Sequence, residues 1–219
     1  RLSCFFVEIF DVYDYNFLME NLDINFINDY IKNEEDIKNC TFDSINGIID
    51  NSNEIEFKNC TFLKSSFVMS NLESFSFTNC VFENTDLSNC KFDNTSFVKV
   101  KFKNCKLLGC SLLESSFLSC SFESCILDYA NFNSSSLKDF SIIESSVRNT
   151  NFDDCRLSRF SVKDSSMILS SFINVNLNNI DFSSDDISGI VVDKDNLTGL
   201  IVSTEQASDL SKLLGIVIK

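Results

Sequence analysis

Residues 77–102 read FTNCVFENTDLSNCKFDNTSFVKVKF, and every fifth residue of this stretch, beginning with Phe77, is phenylalanine or leucine. The same spacing extends over residues 57–197, where all 29 positions of the series hold an apolar residue. A second series lies two residues before each of these and is Ala, Cys, Ser, Thr or Val at 21 of 29 positions. An unbroken spacing of this length predicts an internal repeat, which decides the fold.

A five-residue period fits neither a helix nor a flat strand. A helix turns about 100° per residue, so five residues rotate the chain by about 140° and make no continuous apolar face. In a strand, an odd period sends successive large residues to opposite sides. A chain that turns a corner every five residues places each central residue on a common axis, and four such sides close a coil of 20 residues. Stacked at about 4.8 Å, the repeats predict about seven coils and a rod of about 35 Å.

The chain has no proline and only 5 glycines. We therefore expect Asn, Asp and Ser to form the corners, because these residues tolerate turn conformations. The pattern of a small residue, any residue, Phe or Leu and two polar residues, as in 80–84 and 85–89, resembles the pentapeptide-repeat family. The resemblance implies an all-β fold, a right-handed quadrilateral parallel β-helix, to which the C-terminal sequence adds a short helix.

Residues 20 apart should lie above one another in columns. Bulky Phe140 and Phe160 occupy the small position where the nearby centres are the smaller Ile142 and Val162, and this compensation in volume supports the register. The sequence predicts two columns of stacked rings, one formed by Phe57, Phe77, Phe97 and Phe117 and the other by Phe62, Phe82, Phe102 and Phe122.

Composition divides the chain into three regions. Residues 1–36 carry nine acidic against two basic residues, which is −7 of the total charge of −14, and predict an acidic N-terminal cap with imperfect coils. Residues 37–200 contain the β-helix, with an irregular stretch at 43–56 that inserts no net residue because Phe57 returns in phase. Residues 201–219 predict a C-terminal helix and an apolar tail.

The tail has its own signals. Ser203 followed by Gln206 is a capping-box pattern, and it predicts a helix over 204–214 that ends at Gly215, followed by a terminal strand at 216–218. We expect the apolar residues of the tail either to close the open end of the core or to form a two-fold dimer interface. These residues are Leu210, Leu213, Leu214, Ile216, Val217 and Ile218.

Nine of the ten cysteines occupy the small inward position: Cys40, Cys60, Cys80, Cys90, Cys105, Cys110, Cys120, Cys125 and Cys155. The sequence has no C-x2-C spacing and no histidine, so it predicts neither a metal site nor a cofactor. We expect buried, reduced thiols and a cytoplasmic protein. No apolar run of 18 residues predicts a membrane span, and no signal peptide is visible, although the chain begins at Arg1.

The tail carries a second, narrower resemblance. The pair Gln206-Ala207, followed by Leu213-Leu214-Gly215-Ile216, is similar to the C-terminus of the quinolone-resistance (Qnr-type) pentapeptide-repeat proteins. This resemblance implies a homodimeric rod that mimics duplex DNA, binds type II topoisomerases (DNA gyrase and topoisomerase IV) and protects them from quinolones. Some members of that subfamily carry long loops, whereas this chain has room only for the irregularity at 43–56.

Sorting the outward residues by side of the coil separates the charges. One side, which we call the acidic side, contains Glu73, Asp93, Glu114, Asp153, Asp154 and Asp193. The neighbouring side, which we call the basic side, contains Lys58, Lys99, Lys138, Arg156 and Arg159. A pI of about 4.3 argues against direct binding of nucleic acid but permits binding to a protein surface that itself binds DNA. The alternative is that the acidic surface only keeps the rod in solution.

Three functional classes stay open on the sequence. The first is a DNA mimic bound to a topoisomerase, and the second is a non-catalytic interaction scaffold or an immunity protein with another partner. The third, an enzyme, is disfavoured because the chain has no histidine to act as an imidazole base and its thiols are predicted to point inward.

Overall fold

The computed structural model describes residues 23–50 and 53–217. These residues form a parallel β-solenoid of about eight turns, a right-handed quadrilateral β-helix with a short C-terminal helix, as predicted. The described strands are β1 Ile37–Lys38, β2 Thr41–Asp43, β3 Glu56–Lys58, β4 Thr61–Leu63, β5 Ser76–Thr78, β6 Val81–Glu83, β7 Ser96–Val98, β8 Lys101–Lys103, β9 Ser116–Glu123, β10 Ser136–Ile143, β11 Arg156–Lys163, β12 Ser171–Phe172 and β13 Val191–Val192. The helices are α1 Ile24–Lys32 and α2 Thr204–Ser211, with 3-10 turns at Lys194–Leu197 and Lys212–Leu214.

Successive strands on one side pair in parallel at a separation of 20 residues, so that β3 aligns Phe57 with Phe77 of β5. Backbone hydrogen bonds join neighbouring coils all along the rod, for example from Thr61 N to Cys40 O at 2.9 Å. Isolated parallel bridges continue the same register on the sides that consist of turns. The 20-residue coil derived from the spacing is therefore confirmed.

Phenylalanine rings fill the axis of the rod in the predicted columns. The ring of Phe97 stacks on those of Phe77 and Phe117, with centroids 5.4 and 4.5 Å apart. All three side chains are buried. Phe140 turns its ring edge-on to Phe117, with centroids 5.3 Å apart, beside the small centre Ile142. The exceptions in the repeat thus compensate one another in volume, as expected.

The small inward residues also form hydrogen bonds between neighbouring coils. Thr95 donates a hydrogen bond from Oγ1 to Leu72 O at 2.8 Å, and Cys90 donates from Sγ to Phe67 O at 3.0 Å. A hydroxyl or thiol at this position therefore binds a carbonyl of the preceding coil. The nine predicted cysteines are buried, reduced thiols, and burial raises the pKa of the Cys90 thiol to about 12.

A positive φ recurs two residues after most centres and turns the chain at each corner. Asn79, Ser119 and Asp139 adopt this left-handed conformation, as expected for Asn, Asp and Ser at the corners. Larger residues adopt it too, and for these a left-handed backbone costs about 1–2 kcal/mol relative to a right-handed one. They include Lys64, Met69, Lys99, Tyr129, Arg159 and Leu169.

The irregular stretch of the first coil accommodates helix α1. Asp23 caps this helix by accepting a hydrogen bond from Phe26 N to Oδ1 at 3.0 Å, and Ile27 is fully buried. Gly47 stands where other coils have a large centre, and a Cβ there would lie only 2.8 Å from Ile24 Cβ. Ile27 therefore packs against the core from a helix, not from one of the imperfect coils predicted for residues 1–36. Residues 1–22 lie outside the described part of the chain.

Helix α2 closes the other end of the rod. Its capping box is present as predicted, with Ser203 N donating to Gln206 Oε1 at 2.7 Å and Gln206 N to Ser203 Oγ at 3.3 Å. The amide of Gln206 also donates to Phe182 O at 2.8 Å, a carbonyl at the end of the solenoid. The helical segment ends at Gly215, where φ is 74°. The predicted strand was wrong, because Ile216 and Val217 form none, and Ile218 lies outside the described residues.

Candidate interaction surfaces

The acidic side contains fewer free carboxylates than the sequence suggests. Asp93, expected to point outward, is only 8% exposed. Its Oδ1 accepts hydrogen bonds from Leu113 N at 3.1 Å and from the hydroxyl of Ser111. The expectation that Asp93 faces a partner is therefore corrected, since its short side chain folds back and binds the next coil.

The same arrangement recurs at Asp153. Its Oδ1 accepts from Ile173 N at 2.8 Å and from Ser171 Oγ at 2.6 Å, and the side chain is half-buried. Asp128, on a different side of the coil, binds Ser146 Oγ at 2.6 Å in the same way. The recurring signal, an aspartate directly after a centre with a serine 18 residues later, is present in the sequence and was missed.

The other carboxylates of the acidic side divide into three groups. Glu73 pairs with Lys91, whose Nζ lies 2.5 Å from Oε2. Asp193 accepts from Asn174 N at 2.6 Å and precedes the 3-10 turn at Lys194–Leu197. Glu114 and Asp154 are exposed, so these two are the carboxylates of this side that a partner reaches most directly.

The basic side is exposed at all five predicted positions: Lys58, Lys99, Lys138, Arg156 and Arg159. Arg159 forms an ion pair with Asp139 of the preceding coil, and the hydrogen bond from the guanidinium lowers the pKa of that carboxyl. Because both partners are solvent-exposed, this pair contributes little to stability. The two sides therefore differ in sign, as predicted.

The C-terminal segment exposes apolar side chains. Leu210 is half-buried against the core, whereas Leu213, Ile216 and Val217 are 36%, 52% and 82% exposed. The side chain of Leu214 and the whole of Ile218 lie outside the described part of the chain. The observed arrangement leaves an apolar surface beyond what closing the core requires.

A cavity of about 390 Å³ lies between helix α2 and the last coil, and its lining includes Asp185, Gln206 and Leu210. Burial raises the pKa of Asp185 to about 6. Among residues 23–50 and 53–217, no group of three or more His, Cys, Asp or Glu side chains could hold a metal ion. No helix in that part of the chain is long and apolar enough to cross a membrane.

The four-sided coil of five-residue sides defines the class of protein. A family model described as "Pentapeptide repeats (9 copies)" matches residues 57–101, and one described as "Pentapeptide repeat region" matches residues 115–191. Together the two matches cover more than half of the chain, which therefore belongs to the pentapeptide-repeat family. No curated protein matches the sequence.

Several solved structures share the fold. A trypsin-treated variant of QnrB1, a plasmid-mediated fluoroquinolone resistance protein, is 14% identical, with 84% of this chain and 99% of that chain covered and a TM-score of 0.38. HetL, involved in heterocyst differentiation regulation in Nostoc sp. strain PCC 7120, is 13% identical, with 77% and 87% covered and a TM-score of 0.38. Rfr23 from Cyanothece 51142 is 12% identical, with 82% and 99% covered and a TM-score of 0.33. Likenesses this distant carry no argument about partners.

Proposed function

We propose that this pentapeptide-repeat protein is a non-catalytic, cytoplasmic DNA mimic that binds a type II topoisomerase, DNA gyrase or topoisomerase IV, and protects it against quinolones. The observation that carries the proposal is an exposed apolar end on a strongly acidic rod. The end is formed by Leu213, Ile216 and Val217, and the chain has a net charge of −14. The Qnr-like tail sequence supports the choice of partner.

The carboxylates bound to neighbouring coils fit a mimic of DNA phosphates. Asp153 receives hydrogen bonds from a backbone amide and a hydroxyl, which hold its side chain against the next coil. They also fix the position of the charge, so that less conformational freedom is lost when a partner binds. The exposed Glu114 and Asp154 would make the direct contacts, while Asp93 and Asp153 contribute to the field around them.

The apolar end would join two copies of the chain. Leu213 and Val217, together with Ile216 and the neighbouring Leu210, Leu214 and Ile218, would form a two-fold interface. Two rods joined end to end would span on the order of 80–100 Å. The dimer would present two symmetry-related acidic sides to a two-fold topoisomerase.

The test measures binding of the full-length chain to purified gyrase and to purified topoisomerase IV at increasing salt. We expect affinity to fall with salt, because contacts between carboxylates and a DNA-binding surface are screened. The double variant Glu114→Lys/Asp154→Lys should weaken binding. The matched control, Asp43→Lys/Glu144→Lys, reverses two equally exposed charges on another side and should bind nearly as tightly as the parent.

Dimerisation is tested separately by light scattering of Leu213→Glu/Val217→Glu, which leaves the capping residue Gln206 in place. At concentrations below the micromolar range we expect a monomer that binds gyrase more weakly. A supercoiling assay with and without ciprofloxacin then distinguishes protection from inhibition. Absence of binding to both enzymes would refute the proposal and favour a scaffold or immunity protein with another partner, and equal loss of binding in both charge-reversal variants would refute the role of the acidic side.

A further inference from the structure

Exposed apolar side chains are concentrated on one side of the coil, which we call the apolar side. Its inward centres are Phe67, Leu87, Leu107, Leu127, Val147 and Met167. Leu118, Ile173, Val191 and Ile201, the other large exposed apolar residues described within the solenoid, are spread over the remaining sides. The apolar side exposes Ile48, Met69, Leu108, Ile126, Tyr129 and Leu169, each between 40% and 69%.

Three of these exposed apolar residues have a left-handed backbone conformation, which is unfavourable for large side chains. Met69, Tyr129 and Leu169 occupy one corner column and have φ values of 65°, 62° and 59°. Other coils place asparagine or glycine in that column, which the left-handed conformation prefers. Neither the corner nor the core therefore requires a large apolar residue there. A concentration of exposed apolar side chains on one side is a feature of interaction sites.

Read from either end, this column matches in character at its two outer positions and pairs a small residue with a large one at the middle. The midpoint lies between Gly109 and Tyr129, so that turning a second copy end over end brings a large ring opposite a glycine. The six facing positions pair Met69 with Leu169, Asn89 with Asn149, and Gly109 with Tyr129. In the adjacent column the same operation pairs the apolar residues Val68 and Ile168.

The charges of the apolar side obey the same symmetry. Its four central coils carry Asp86, Lys106, Asp128 and Arg148, which sum to zero in a chain of net charge −14. The same two-fold operation places the coil of Asp86 opposite that of Arg148, and the coil of Lys106 opposite that of Asp128. Each acidic coil thus faces a basic one. This side therefore adds no net charge repulsion between two copies.

We propose that the apolar side binds a second copy of the chain in an antiparallel, two-fold arrangement. This contact is separate from the C-terminal interface and does not depend on the proposed function. Six coils at about 4.8 Å and a side of five residues at about 3.3 Å each give a surface of about 29 by 16 Å. Two copies would bury on the order of 900 Å² together, an area typical of weak, reversible association.

The first test is sedimentation of the full-length Leu213→Glu/Val217→Glu variant, in which a C-terminal contact is removed. A dimer should form at micromolar concentrations and strengthen with added salt, because salt screens the repulsion between two acidic chains. Tyr129→Asn should weaken dimerisation at least about tenfold without lowering the melting temperature, since asparagine suits the left-handed corner. The control is Leu118→Asn, which removes an exposed apolar side chain from another side and should leave dimerisation unchanged.

Cross-linking tests the arrangement itself. In a Cys4→Ser background, Met69→Cys/Leu169→Cys should form disulfide-linked dimers when oxidised glutathione accepts the two thiol hydrogens. Within one copy the two positions are five coils, about 24 Å, apart and cannot bridge. Met69→Cys alone should not link, because its partner position is Leu169. A monomer throughout, or cross-linking of Met69→Cys alone as efficient as that of the double variant, would overturn the proposal.

Discussion

Asp185 is a charged residue at an inward position that other coils give to small residues, and replacing it by serine should stabilise the protein at neutral pH. Its Oδ1 accepts a hydrogen bond from Ser165 N at 2.8 Å. Its Oδ2 is buried and has no hydrogen-bond partner among the described residues. Ser165, one coil earlier, both accepts from Ser145 N at 3.1 Å and donates to Lys163 O at 2.9 Å. An ionised carboxylate can only accept, so Asp185 cannot reproduce the donated bond.

The magnitude follows from the pKa. Burial raises the pKa of Asp185 from 3.8 to about 6, and the negative charges of Asp164 and Asp181 act in the same direction. A rise of about two units corresponds to about 3 kcal/mol. Because the folded pKa is the higher one, the protonated form is favoured in the folded protein. Its contribution to stability is complete below about pH 4, falls as pH rises through about 6, and is absent above about pH 7.

The assay is urea unfolding at several values from about pH 4.5 to about pH 8. Relative to the parent, Asp185→Ser should gain stability as pH rises, up to about 3 kcal/mol at pH 8. The matched control is Asp186→Ser, because hydrogen bonds from Ser188 lower the pKa of the Asp186 carboxyl. A lowered pKa gives its full contribution to stability above about pH 4, so the difference between this control and the parent should stay nearly constant over the assay. If Asp185→Ser keeps the parent's pH profile, or is less stable at pH 8, the reasoning is refuted.

Two further predictions concern the core. Phe97→Ala should lower the free energy of unfolding by about 3–5 kcal/mol, because removing a buried ring stacked on both sides leaves a cavity. The control Leu118→Ala, at an exposed position, should change it by less than about 1 kcal/mol. Equal losses in urea unfolding would contradict the register. The nine inward cysteines should react slowly with a thiol reagent until the protein unfolds, because all nine side chains are buried. Burial also raises the pKa of the Cys90 and Cys155 thiols to about 12, and the thiolate is the reactive form. Rapid labelling of most of them in the folded protein would be incompatible with this core.

The interior of the rod was predictable because one local rule governs it. Every fifth residue must reach the axis, so the stacking of Phe97 on Phe117 and the burial of Cys90 follow from position alone. A second local rule, for residues three apart, predicted the C-terminal capping box. Helix α1 was missed because Ile27 satisfies both the five-residue phase and the helical spacing with Ile24 and Ile31. Asp23 as an N-cap was the signal that decided between them.

The outer surface was less predictable because side-chain length decides where a carboxylate goes. Asp93 and Glu73 both follow a centre directly, and the pattern assigns both to the acidic side. The shorter side chain of Asp93 binds Leu113 N in the next coil, whereas Glu73 extends to Lys91. Spacing gives the side of the coil but not this competition between a backbone amide and a lysine. The structure therefore changes the expected orientation of individual residues such as Asp93, but the acidic and basic sides still differ in charge.

The core of each coil requires only a small and a large inward residue. Residues that lower stability without contributing to that core therefore indicate a role other than the stability of the rod. Met69, Tyr129 and Leu169 adopt a left-handed backbone and expose apolar surface, although asparagine in the same column would satisfy the corner. Asp185 buries a carboxylate beneath helix α2, although serine would satisfy the coil. The first group lies on a side wall of the rod and the second at its end. We therefore expect the apolar side to govern association along the rod, and Asp185 to govern attachment of the C-terminal helix.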